Sequence, residues 1–296
     1  MATTTSNLGL TKPDYTDAAD VGVLNGNFDL LDQAIATDRV NNVRHTNVHN
    51  LLDNSNFMNP VNQRGQDNYT GIGYAIDRWR TWDDTAVVVV RDGYISHDNS
   101  LFQYIPGLKK DQTYTLAVCN SSNVMFVYSG KPEDLGGTAE IAIHYDPGSD
   151  VVAVIISGSV WGIKWAALYE GEYTAETLPP YVPKDHAQEI VECLQYCYVP
   201  SKDDLLVNGT AISTTTVRFR IPTAVPMRTK PTLTLGSISW LRSGGTSISS
   251  PAISSTSCVL RNGQIEINIT FSSAILTAYQ SYSAQLSGGI VLSADL

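Results

Sequence analysis

Paired carboxylates, neighbouring histidines and aromatic side chains are the groups in this chain whose types and spacing could do chemistry. Asp83-Asp84 and Asp203-Asp204 are adjacent pairs. Glycoside hydrolysis needs two carboxylates facing each other across a cleft, and acids adjacent in sequence on a β-scaffold read instead as turn residues. His45 and His49 lie four apart, and rings of such residues on a bundle axis could hold a metal. The plainer reading is a solvated stalk, so no metal or cofactor is expected. No GxSxG, HExxH, P-loop or dinucleotide-binding fingerprint occurs. The expectation is a protein that binds rather than catalyses.

Binding chemistry is better represented. The chain has 15 Tyr and 5 Trp, and flat, rigid aromatic faces suit the apolar faces of sugar rings. Trp82, Trp240, Tyr279 and Tyr282 are the glycan-binding candidates. Trp79 is read as core. Trp161 and Trp165, four apart in an expected strand, share one face and are also read as core.

Three segments must position these groups. Residues 1–50 are polar except for a seam at Val21, Leu24, Phe28, Leu31 and Ile35. Its spacing is that of a coiled coil, and the expected helix spans residues 20 to 37, starting near Asp17 or Asp20. The seam has nothing in its own segment to pack on, so it needs copies of itself or another protein. Residues 51–183 carry short apolar runs at Val87–Val90, Leu101–Ile105, Tyr114–Cys119, Val124–Tyr128, Ile141–Tyr145, Val151–Ile156 and Ile163–Tyr169, with turn residues between them. That pattern predicts a β-sandwich of jelly-roll type. Pro179, Pro180 and Pro183 mark a boundary. In residues 184–296, Asp185 caps an expected helix with Gln188 as partner. The helix carries Ile190, Val191, Cys193, Leu194, Cys197 and Tyr198 and ends at Pro200. A second β-sandwich follows. In it Val217, Phe219 and Ile221 alternate with Arg218 and Arg220, and Ile238 shares a face with Trp240. Residues 243–257 read as a long loop or hairpin tip.

Composition narrows the partners. The net charge is −10 and the pI about 4.8, the wrong balance for tracking phosphates or an anionic bilayer, although a local basic patch would escape this argument. Nucleic acid and membrane insertion are therefore not expected. The start MATTTSNLGL lacks the basic and apolar regions of a secretory signal. The four cysteines form no CxxC pair and are read as small buried apolar residues.

Short motifs add a resemblance. Gly9-Leu10-Thr11-Lys12-Pro13 followed by Asn25-Gly26-Asn27-Phe28-Asp29-Leu30-Leu31-Asp32 resembles the N-terminal attachment segment of tailed-phage fibre and baseplate-attached proteins. NLLDNSNFMNPVNQRG at residues 50–65, with Ala75-Ile76-Asp77-Arg78-Trp79, looks like the start of a phage jelly-roll module and is similar in general shape to carbohydrate-binding modules. Glu170-Gly171 and Glu192-Cys193-Leu194-Gln195-Tyr196 resemble the passage that closes such modules, with Gln195 and Cys197 departing from the usual Arg and Tyr. Leu292-Ser293-Ala294-Asp295-Leu296 looks like the last strand of a fibre tip. The resemblance implies a virion tail location and a homotrimer docked to tail or baseplate proteins through residues 1–35. It further implies adhesion to host cell-surface glycan. The alternatives are a purely structural baseplate component, or a fibre of a phage-tail-like bacteriocin or injection system.

Overall fold

The computed structural model describes residues 3–6, 8–12, 21–46, 48–134, 136–201, 205–261 and 264–295, without the side chains at 21, 36–46 and 134. Pro13, Asp17, Asp20 and the pair Asp203-Asp204 lie outside the described residues. So do the side chains of Val21 and His45. The chain is mainly β. It divides into residues 1–49 with 178–181, and residues 50–177 with 182–296. No helix among the described residues is long and apolar enough to cross a membrane.

In the first unit, helix α1 runs Val21–Thr46, longer than the seam suggested. No Gly or Pro interrupts residues 27–46, so the backbone continues as helix after the apolar pattern stops. A two-residue strand pair, Thr3–Thr4 with Thr11–Lys12, precedes it. The Asn27 amide holds this pair: its Oδ1 accepts from the Thr11 N–H and its Nδ2 donates to the Thr11 carbonyl, both at 2.9 Å. Thr11 and Asn27, from the two stretches 9–13 and 25–32, therefore meet in space. Leu24, Phe28 and Ile35 are exposed, Phe28 at 64%, and Leu31 is half-buried. The helix is single, with most of its described seam open, and no coiled coil forms among the described residues.

In the second unit, two six-stranded antiparallel sheets enclose one core. The first sheet has the order Met125–Gly130, Tyr114–Asn120, Ile163–Glu170, Tyr94–His97, Val87–Arg91, Asn68–Thr70. The second has Gly136–Gly137, Ile141–Asp146, Val151–Ile156, Leu101–Ile105, Arg80–Thr81, Gly73–Tyr74. Val88, Ile95, Leu116, Val118 and Leu168 from one face meet Leu101, Ile143, Val152, Val154 and Ile156 from the other. Alternating apolar residues do what their period of two requires.

The C-terminal region differs from the expected second sandwich. It is one eight-stranded sheet, in the order Thr246–Ser249, Thr232–Ser243, Ser281–Ser293, Leu205–Ala211, Thr216–Pro222, Gln264–Phe271, Ile253–Arg261, with Cys197–Ser201 also paired to Ser281–Ser293. The sheet curls so that strands Thr232–Ser243 and Ile253–Arg261 approach each other, and Val217, Phe219, Ile238, Leu241, Ile267 and Leu286 fill the inside. Strand Ser281–Ser293 bends at Gly288 and Gly289, whose φ values of 78° and 75° favour glycine. Helix α2, His186–Leu194, ends earlier than expected. Asp185 caps it through the N–H groups of Ala187 and Gln188, but the Gln188 side chain bonds Glu192 instead of closing a capping box. Cys197 and Tyr198 join the sheet because the last strand offers them an open edge.

A buried ionic cluster joins the curled sheet to the sandwich. Arg78, 1% exposed, sits at φ 71°. Its Nε meets Asp53 at 3.0 Å and its Nη1 meets Asp295 at 3.4 Å, while Nη2 donates to the Tyr104 carbonyl at 2.7 Å. Its guanidinium lies 3.5 Å from the centre of the Tyr196 ring. Arg64 bonds Asp77 at 3.1 Å and reaches Asp295 at 3.9 Å. Gln63 donates to the Cys197 carbonyl and accepts from the Val199 N–H. All four cysteines are buried free thiols, and burial pushes Cys197 up to about 12.

Removing one member of such a cluster strands the others. Arg78→Met is expected to lower stability by about 3–5 kcal/mol, because Asp53 and Asp295 lose their shared cation. Urea denaturation measures this, and adding Asp295→Asn should recover part of the loss. Asp77 gives a pH signature. Burial raises its pKa from 3.8 to about 6, against the opposing Arg64. The fold therefore binds this proton more tightly than the unfolded chain does. Its contribution is full below the unfolded pKa of about 4 and is lost as pH rises through about 6. That loss is about 3 kcal/mol. Stability measured from pH 4 to 7 should fall less steeply in Asp77→Asn than in the parent.

Candidate functional site

The acids at the centre of the ionic cluster are closed to ligands. The Asp77 and Asp295 side chains are at most 1% exposed, so a perturbed acid that elsewhere would suggest catalysis here has no access to substrate. Asp83 is a turn acid. It accepts from the N–H and hydroxyl of Thr85 at 2.8 and 2.6 Å, and these bonds lower its pKa. His49 is exposed, and no three His, Cys, Asp or Glu among the described residues are placed to hold a metal.

Of the aromatic candidates, Tyr282 has its ring buried, although the residue is among those lining the groove described below. It is 6% exposed and packs in the curled core, its hydroxyl accepting from the Thr277 N–H at 2.9 Å. Strand alternation puts it inward with Ala284 and Leu286. Tyr279 is 85% exposed, at φ 67°. Trp82 is 48% exposed. It is edge-on to Phe102 and Tyr104, and Arg80 lies over its ring at 3.9 Å. Trp161, expected in the core, is 61% exposed because it precedes strand Ile163–Glu170 and escapes that strand's alternation. It leans on Tyr94 and borders a cleft with Val87, Val89 and His97.

Trp240 is turned outward by a bulge. The register of its strand slips between Ile238 and Trp240, so Ile238 and Leu241 face in while Trp240 faces out. Its indole N–H donates to the Gln285 side chain, and Arg242 lies over its ring at 4.4 Å.

Beyond Arg242 the outer face of the curled sheet holds a shallow groove. One part, about 500 Å³, is lined by Asn208, Gly209, Thr210, Arg242, Ser281 and Ser283. The adjoining part, about 260 Å³, shares Asn208, Gly209 and Thr210 and adds Ile212, Arg218 and Arg220. The sheet register explains the grouping. Asn208 pairs with Ser283, which pairs with Arg242, and Thr210 lies between Ser281 and Arg218. Gly209 allows strand Leu205–Ala211 to approach its neighbour, since a Cβ there would lie 2.2 Å from the Arg218 carbonyl. The Tyr279 N–H bonds the Ala211 carbonyl at 2.7 Å, next in sequence to Ile212 of the groove. Hydroxyls, an amide, guanidinium groups and the outward Trp240 thus share one face. Sequence alternation pointed to Arg218 and Arg220 as outward, but nothing local brought Asn208, Ser281 and Ser283 beside them.

The chain matches no protein-family model, and no curated protein or solved structure is similar to it.

Trp82 and Trp240 differ from the buried Trp79 in what they support. Trp79→Ala is expected to cost about 3–5 kcal/mol, since Trp79 is fully buried and bonded to the Asn54 carbonyl. Trp82→Ala and Trp240→Ala should each cost about 1 kcal/mol, consistent with partial exposure. Thermal denaturation compares the three.

Proposed function

We propose that this chain is a tail fibre or receptor-binding protein of a tailed phage, a homotrimer that docks to the tail by its N-terminal segment and adheres to host-surface glycan by its β-regions. In this reading the sandwich is a jelly-roll spacer of carbohydrate-binding-module type. The curled sheet is the tip. Adhesion needs no catalytic step: several weak contacts on linked copies raise the effective concentration of each later contact, with gains on the order of 10² to 10⁴.

The observation that carries the proposal is the open seam of α1. Leu24, Phe28 and Ile35 are exposed on one helix, and the attachment motifs Thr11 and Asn27 are locked together beside it. Copies of the same helix would bury that seam in coiled-coil fashion. The polar groove, with Trp240 outward two residues before Arg242, supports the adhesive part.

Sedimentation of the full chain is expected to show a trimer that Leu24→Ser with Phe28→Ser converts to monomer. The trimer should adsorb to host cells and the monomer should adsorb more weakly, by tenfold or more. A trimer that binds no host cell would favour the structural-component reading. Deleting residues 184–296 is a poor test, since it removes Tyr196 and Asp295 from Arg78.

A further inference from the structure

Charge is divided unevenly along this acidic chain. Residues 205–294 contain six basic side chains, Arg218, Arg220, Arg228, Lys230, Arg242 and Arg261, and one acid, Glu266. That segment therefore carries +5, and the remainder carries −15 to reach the total of −10. The whole-chain balance that argued against anionic partners does not describe the curled sheet.

Three of the six line the groove. Arg218 and Arg220 stand on one side of Asn208–Thr210 and Arg242 on the other. Glu266, nearly buried, organises the first side. Arg220 Nε meets it at 3.0 Å, Arg261 Nε at 3.6 Å and Arg218 Nε at 3.8 Å, with Arg218 Nε also bonded to Asn268 at 2.9 Å. One carboxylate thus fixes three guanidinium groups through their Nε atoms and leaves two positive charges uncompensated. Their Nη ends make no bond to any described residue. Arranged forks of this kind match the paired oxygens of a carboxylate or phosphate.

We propose that the groove binds an anionic polysaccharide, its carboxylate or phosphate groups held by Arg218, Arg220 and Arg242 and its hydroxyls read by Asn208, Thr210, Ser281 and Ser283. This rests on the adhesive reading above and names its ligand class. A neutral glycan would leave the surplus guanidinium charge unused. Single-stranded nucleic acid binds through bases stacked on open aromatic faces, whereas the Trp240 ring already carries Arg242 over one face.

The test titrates the full chain with dextran phosphate, polygalacturonate, neutral dextran and single-stranded DNA by calorimetry, at 50 and 200 mM salt. Dextran phosphate or polygalacturonate should bind, and the stronger of the two identifies the anionic group. Neutral dextran should not bind, and affinity should fall on the order of tenfold between the two salt concentrations. Arg242→Gln leaves the Glu266 cluster intact, and Ser283→Asp places a negative charge in the groove. Each should weaken binding by about tenfold. Equal binding of neutral dextran, unchanged affinity in both variants, or DNA bound more tightly than either charged glycan would overturn the proposal. Host-cell adsorption separates the two readings. Adsorption that survives both variants removes the anionic groove and leaves adhesion standing, while a parent protein that never adsorbs removes adhesion itself.

Discussion

A guanidinium removed from water sets the arrangement of residues 50–177 and 182–296. Arg78 is held by carboxylates from two places far apart in sequence, Asp53 and Asp295, by the Tyr104 carbonyl, and by the face of Tyr196. Burial alone would lower its proton affinity, but Asp53, Tyr196 and Asp295 outweigh it, and the group stays charged. An isolated buried charge costs several kcal/mol, so Arg78 is tolerable only when the last strand, α2 and the sandwich are all in place. Its left-handed backbone adds a cost of about 1–3 kcal/mol, which the surrounding turn sustains through the bond from the Ala75 N–H to the Trp79 carbonyl. The arginine thus makes the two β-regions conditional on each other.

This gives the short sequence motifs a structural meaning. Asp77, Arg78 and Trp79 come from one passage, Glu192 and Tyr196 from a second, and Asp295 from a third. All three converge on the junction. Lys184 extends it by bridging Asp53 and Glu192 at 3.6 and 2.8 Å. Their order along the chain is legible in sequence, while their function as a clasp is not, because it depends on contacts more than 200 residues apart, such as Arg78 with Asp295.

The same distinction governs the rest of the fold. Strands Leu101–Ile105 and Val151–Ile156 match the apolar runs residue for residue, because both run through the sandwich interior with turns at each end. Alternation also put Val217, Phe219 and Ile221 inside. It failed where register slips. The bulge before Trp240 breaks the alternation that grouped it with Ile238 and leaves it outward, as its candidacy for binding required, and Tyr282 is buried because it pairs with Gly209 on the inner side. Cys197 and Tyr198 extend a helical pattern on paper but gain more hydrogen bonds as an edge strand. For the candidate surface, residue types were readable singly. Their assembly came from four strands whose pairing no local pattern encodes.

The groove and the clasp are built on one strand. Ser281 and Ser283 form the groove wall, and ten residues later the same backbone reaches Ser293 and then Asp295. Between them the strand is paired on both sides, to Leu205–Ala211 and then Cys197–Ser201 on one side and to Thr232–Ser243 on the other. Gly288 and Gly289 turn it from one task to the other without leaving the sheet. A ligand pulling on the groove would therefore load a strand whose far end is held by buried ionic contacts to the sandwich. The strand's hydrogen bonds lie across its axis and would share such a load. In the proposed adhesive reading such a joint has a reason: flexibility between the curled sheet and the sandwich would raise the entropic cost of each contact, whereas a fixed junction leaves only the groove and its ligand to be ordered.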